Sequence, residues 1–253
     1  MATKTFTLED FKESTETLRN IFNSYIQGHS EYEDLKCIFE IGLSNFSLFP
    51  NIRLSEEQTA AEYIKKWIKG YSDALNNPPS KRTATPKNSC SDPAVQAIVQ
   101  IAKGLDDEKT TRIAAYHNLF MSAENIQGNL LEEYISISTR PYGWIWCQGN
   151  VMRAIDFCSS DGKILLQIKN KSNTENSSSS AIRSGTDIKK WYRLGTQSKN
   201  GMKSPTYKWE KLNDIINSHI TTGHKPDSHM TEEDYQNFLR NTTLSNPDII
   251  SSQ

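Results

Sequence analysis

Asp156, Gln167 and Lys169 stand in the stretch Ile155-Asp-Phe-Cys-Ser-Ser-Asp-Gly-Lys-Ile-Leu-Leu-Gln-Ile-Lys169 and are the residues of this chain best equipped for chemistry. Asp156 closes one apolar run, Asp161-Gly162 supplies turn residues, and a second apolar run carries a glutamine and a lysine two positions apart. Side chains alternate faces along a strand, so Gln167 and Lys169 point the same way while Leu166 and Ile168 pack on the other side. Pairing of the two runs as a hairpin would bring Asp156 beside them. A carboxylate and an amide oxygen suit a hard cation, and an ammonium can orient a water and counter charge on a phosphate. That is the minimum equipment for hydrolysing a phosphodiester.

A further acid lies just upstream, in Gln127-Gly-Asn-Leu-Leu-Glu-Glu-Tyr-Ile135, where a helix leads into the strands. Glu132 follows Gly128 at a spacing of four, so the glycine sits one turn away on the same face and predicts close approach of helix to sheet. That favours Glu132 over Glu133. Downstream, residues 162–211 hold eleven Lys and Arg against three acids, a local excess of eight in a chain whose net charge is −1. A basic surface confined to one segment of a near-neutral protein suits one polyanion bound along one face. Within it, Asn170–Arg193 is dense in hydrogen-bonding groups. Lys171, Arg183, Lys190 and Arg193 are candidates for guanine or phosphate contacts, and Asn173, Asn176, Ser178, Ser179 and Thr186 for base edges or the sugar-phosphate backbone.

The elements that must position these groups read as an α/β (α+β) arrangement. Residues 1–76 have helical periodicity: Phe11, Leu18, Ile21, Phe22 and Tyr25, then Leu35, Ile38, Phe39 and Leu43, then Ala61, Ile64, Trp67, Ile68 and Tyr71 behind a capping box at Ser55-Glu-Glu-Gln58. Residues 77–93, rich in Pro, Ser, Thr and Asn, read as a linker or mobile loop. Helix returns from Pro93 to about Ser138, broken near Gly104-Leu-Asp-Asp107. Strands are expected at 144–148, 151–158, 163–169 and 206–209, and helices at 211–219 and 231–239, with a frayed last dozen residues. The expected organisation is a helical part over 1–76, the 77–93 connection, and a core over 94–253 that carries a recognition segment at 170–211.

Other chemistries lose support. Cys37, Cys90, Cys147 and Cys158 show no C-x-x-C spacing, which argues for reduced thiols rather than a zinc site or disulfide frame. His219, His224 and His229 recur every five residues and share no helix or strand face. The phosphate-loop, dinucleotide, zincin and nucleophile-elbow motifs are missing. Met1–Leu8 has no secretory apolar region and no apolar run reaches the roughly 20 residues of a membrane span, so an intracellular, cytoplasmic location is expected.

The order Glu132 … Asp156 … Gln167-Ile-Lys169 resembles the PD-(D/E)xK nuclease superfamily, with glutamine at the (D/E) position and Ile155 where the motif has proline. The run Leu166-Gln-Ile-Lys-Asn-Lys-Ser-Asn-Thr-Glu-Asn-Ser-Ser-Ser-Ser-Ala-Ile-Arg-Ser-Gly-Thr186 resembles, more narrowly, type II restriction endonucleases of the SinI kind, which cut GGWCC or GGNCC palindromes. The resemblance implies a restriction-endonuclease-like core, a mixed β-sheet flanked by helices. It implies a Mg²⁺ cofactor, replaceable by Mn²⁺, held by Asp156, Gln167, the Ile168 carbonyl and Glu132, with Lys169 as the catalytic lysine. Double-stranded DNA is the implied substrate and a homodimer the implied assembly. A structure-selective or repair nuclease of the same superfamily, and a non-catalytic DNA-binding regulator on a decayed nuclease fold, are the alternatives.

Overall fold

The computed structural model describes residues 4–54, 58–84, 92–171, 187–223 and 226–250. Its centre is a five-stranded mixed sheet formed by β3 (Trp144–Trp146), β4 (Phe157–Ser159), β5 (Leu165–Lys171), β6 (Lys189–Lys199) and β7 (Met202–Tyr207), in that spatial order. β5 and β6 are parallel and the other pairings antiparallel. A mixed sheet between helical layers gives the expected α+β class.

The two faces of the sheet bury different helices. On one lie α1 (Thr15–Ile26), α2 (Glu33–Ser44) and α3 (Ala60–Asn76), whose apolar stripes meet Ile145, Cys158 and Ile188. Phe22 stacks on Phe39 at 4.2 Å between ring centres, and the Trp67 indole N–H donates to the Val151 carbonyl at 2.8 Å, tying α3 to the β3–β4 connection. A Cβ at Gly149 would collide with the Gly70 carbonyl, so this glycine, at φ +76°, permits that approach. On the other face, Leu131, Tyr134 and Ile135 of α5 (Asp107–Thr139), Trp209, Leu212 and Ile216 of α6 (Trp209–Asn217), and Tyr235 of α7 (Glu232–Ser245) cover Phe157, Leu166, Ile168 and Trp191. A short pair, β1 (Lys4–Phe6) with β2 (Ile52–Leu54), closes the N-terminal layer. α4 (Pro93–Lys103) precedes α5.

Several expectations need correction. The expected helix start at Ser55 falls outside the described residues; α3 is capped by Thr59, whose hydroxyl accepts from the Glu62 N–H. Residues 151–155 are turns rather than strand, because Asn150 and Ala154 both take positive φ. Residues 77–84 are not loose: a short 3₁₀ turn at Pro79–Lys81 is held by Glu133, which accepts from the Ser80 amide at 2.8 Å. Asn246 donates to the Ser80 and Arg82 carbonyls, and Ile249 is buried, so the described part of the tail is docked rather than frayed. α6 starts at Trp209, ending the strand expected over 206–209, and α7 runs on to Ser245. β6 and most of β7 were not anticipated; Asn200-Gly201, both at positive φ, makes the tight turn between them. Among the described residues no helix is long and apolar enough to cross a membrane. Cys37, Cys147 and Cys158 are free thiols, and Cys90 lies outside the described residues.

Candidate active site

The β4–β5 hairpin forms as the sequence suggests. Phe157 pairs with Leu166, and the turn closes with the Gly162 N–H on the Ser159 carbonyl at 2.8 Å. Asp156 lies one residue before β4, yet its backbone continues the sheet: its N–H donates to Leu166 and its carbonyl accepts from Cys147. The Asp156 carboxylate accepts from the Ile168 N–H at 2.6 Å, which fixes it across the strand that carries Gln167 and Lys169.

α5 supplies the opposite wall. A cleft of about 330 Å³ opens between this helix and β5, lined among others by Asn125, Asn129, Glu132, Ile168, Lys169 and Lys171. The Glu132 carboxylate accepts from the Trp146 indole N–H at 3.2 Å. Burial pushes its pKa up to about 8, and the nearby Asp156 charge adds to the rise; the Trp146 hydrogen bond and the Lys169 ammonium oppose it. Glu132 therefore senses Asp156 and Lys169 together. Glu133, one position on, faces away and caps Ser80, so the choice between the two acids follows from helix phase. Gly128 does not admit close packing against the sheet: a Cβ there would meet open space, and the glycine lines the cleft instead.

Gln167 is 2% exposed, and its amide oxygen has no hydrogen-bond partner. A buried acceptor without a partner, and two carboxylates whose charges repel one another, are each the kind of group that a divalent cation would satisfy. Among the described residues no group of three His, Cys, Asp or Glu could hold a metal.

The expected DNA contacts separate into three groups. Asn173, Asn176, Ser178, Ser179, Arg183 and Thr186 lie outside the described residues. Lys190 is exposed on β6, in register with Gln167, and Lys171 at the end of β5 pairs with Glu124 of α5 at 3.1 Å on the rim of the cleft. Arg193 differs from its expected role. It is 7% exposed, donates to Glu232 at 2.6 Å and to the Asn170 side chain at 3.0 Å, and lies over the rings of Tyr207 and Tyr235. Its guanidinium is a core group that joins β6 to α7. Asn125 and Asn129 were overlooked, although their spacing with Gly128 and Glu132 marks a single face of α5.

The fold and cleft define an α+β protein with an acid-and-lysine site at the central strand of a mixed sheet. A sequence model of the SinI restriction endonuclease family matches residues 61–224, a span that includes Glu132, Asp156, Gln167 and Lys169. The chain belongs to the SinI restriction endonuclease family. It is 38% identical over 164 residues to the type II restriction enzyme Eco47I of Escherichia coli, a match covering 63% of this chain and 65% of that one. It is 36% identical over 159 residues to the type II restriction enzyme SinI of Salmonella infantis, covering 61% and 63%. The matched region thus spans just under two thirds of the length of these relatives.

Proposed function

We propose that this protein is a type II restriction endonuclease that cleaves both strands of DNA at a short G·C-rich palindrome of the GGWCC or GGNCC type. It would act in the cytoplasm as a homodimer, since two-fold symmetric DNA is read most simply by a two-fold symmetric protein. The observation that carries this reading is the cleft in which Glu132 senses both Asp156 and Lys169, within the span matched to a family of restriction enzymes. The core is read as a PD-(D/E)xK variant with Gln167 at the second position, and residues 170–211 as its recognition segment.

Asp156, Glu132, Gln167 Oε1 and the Ile168 carbonyl would hold Mg²⁺, or Mn²⁺ in its place. Bound there, the cation supplies Lewis-acid polarisation of the scissile phosphate. The chain's own groups do the rest. The Ile168 N–H keeps Asp156 aimed, Trp146 holds Glu132, and Lys169 orients a water and neutralises charge that develops on the phosphate. In-line attack of that water on phosphorus breaks the bond to the 3′ oxygen, leaving a 5′-phosphate and a 3′-hydroxyl. Lys169→Ala should retain DNA binding in a mobility-shift assay and lose at least about 100-fold in cleavage rate. Undiminished cleavage by this variant would remove Lys169 from the mechanism. A wild-type protein that binds DNA yet cuts none with either Mg²⁺ or Mn²⁺ would instead be a regulator.

A further inference from the structure

α5 is 33 residues long, about 50 Å, and only its C-terminal half packs on the sheet. Its first half pairs with α4 in an antiparallel hairpin turned at Gly104, which takes the left-handed conformation, and the Gln100 side chain donates to Asp107 across the turn. Ile113 and Tyr116 stand eighteen residues, five full turns, before Leu131 and Tyr134, so they continue the stripe by which α5 grips the core. Phe120 lies between them on the same side. Among the described residues nothing covers this extension: Ile113, Tyr116 and Phe120 are exposed, Phe120 by 71%. On α4, Val95, Ile98 and Ile101 recur at three-residue spacing and are exposed too, Ile98 by 66% and Ile101 by 84%. No residue of α4 is buried.

We propose that this hairpin is the dimer interface, and that the occupant of its apolar face is the same face of a second copy. With roughly 150–250 Å² for an aromatic side chain and less for Val and Ile, the six exposures leave on the order of 500–600 Å² of apolar surface per chain. That is at the top of the roughly 300–600 Å² patch of a typical monomer and supplies most of the ~800 Å² that each partner buries in a standard interface. None of the six positions is charged, so the face is self-complementary. Two antiparallel hairpins related by a two-fold axis make a four-helix bundle with an isologous contact. Glu132 points about a quarter turn away from the stripe, so the bundle leaves the cleft open, and it lies about 18 Å along the helix from Phe120. One helix thereby joins the dimer contact to the catalytic wall.

This inference gives a surface to the homodimer of the proposed function and rests on that reading for its purpose, but its test reads mass and not cleavage. Sedimentation of the full chain through the micromolar range should give twice the monomer mass. The Ile101→Glu/Phe120→Glu double variant should weaken self-association by roughly 100-fold or more. Its circular dichroism and thermal midpoint measured as a monomer should be preserved, because both side chains already face solvent. A wild-type chain that stays monomeric, or a folded double variant that dimerises as tightly as wild type, would overturn the interface. Amide exchange in the wild-type chain gives a readout free of substitutions. Protection over residues 93–103 should rise with protein concentration, and protection independent of concentration would count against the proposal. Dimers that sediment as expected but cut no DNA would leave the interface standing and remove the nuclease reading.

Discussion

Glu132 is held where its own negative charge is unwelcome. Its folded pKa of about 8 exceeds the ordinary value of 4.5 because burial and the Asp156 charge favour the neutral acid. A group raised in this way contributes stability that is fully present below about pH 4.5 and is lost as pH rises through about 8. In the metal-free protein, Glu132→Gln should therefore raise the melting temperature little near pH 5 and by several degrees at pH 9, where each kcal/mol corresponds to roughly 2–4 °C for a chain of this size. The same variant should cut DNA poorly. Melting curves in EDTA across this range check the point, and a gain independent of pH would show that the carboxylate is not under this strain. Under the proposed function, a divalent cation would relieve that cost. Gln167, buried with its oxygen unpartnered, is a second local cost of the kind found at functional sites.

At the scale of elements, Arg193 and Arg183 make contrasting cases. Arg193 ties β6 to α7 through Glu232, which also accepts from the Trp209 indole N–H. Arg193→Ala should destabilise the fold by about 3–5 kcal/mol, the usual result of stranding a buried charge. Arg183→Ala should leave the denaturation midpoint in place and weaken binding to the cognate site by about 1–3 kcal/mol, with little effect on random DNA. Equal losses on both DNAs would make Arg183 a phosphate contact. The sequence revealed α4, α5 and the β4–β5 hairpin because each is bounded by residues with local effects: Asp92-Pro93, Gly104, Asp106 and Asp161-Gly162. β6 was hidden because only Ile188, Trp191 and Arg193 are buried along it and its start, and an arginine in a core position reads as surface. The Asn200-Gly201 turn was a usable signal for that hairpin. Asp156 and Lys169 were legible from strand spacing alone. That Glu132 meets them depends on the phase of a 33-residue helix against a sheet, which no local pattern encodes.

For the whole molecule, the sheet separates two tasks. The N-terminal helices back one face and hold the β3–β4 connection, while α5, α6 and α7 cover the other and α5 carries one wall of the cleft. The excess of eight positive charges over residues 162–211 includes the strand that bears Lys169, so the basic segment and the candidate acid-and-lysine site adjoin along the chain. This arrangement suits an enzyme that reads DNA where it cuts. The most direct test is digestion of a sequenced DNA with the full chain in Mg²⁺, followed by mapping of every end. The account predicts discrete fragments with 5′-phosphate ends, one short G·C-rich palindrome at every cut, and no cleavage in EDTA. Ends that share no sequence, or cleavage that persists in EDTA, would contradict it.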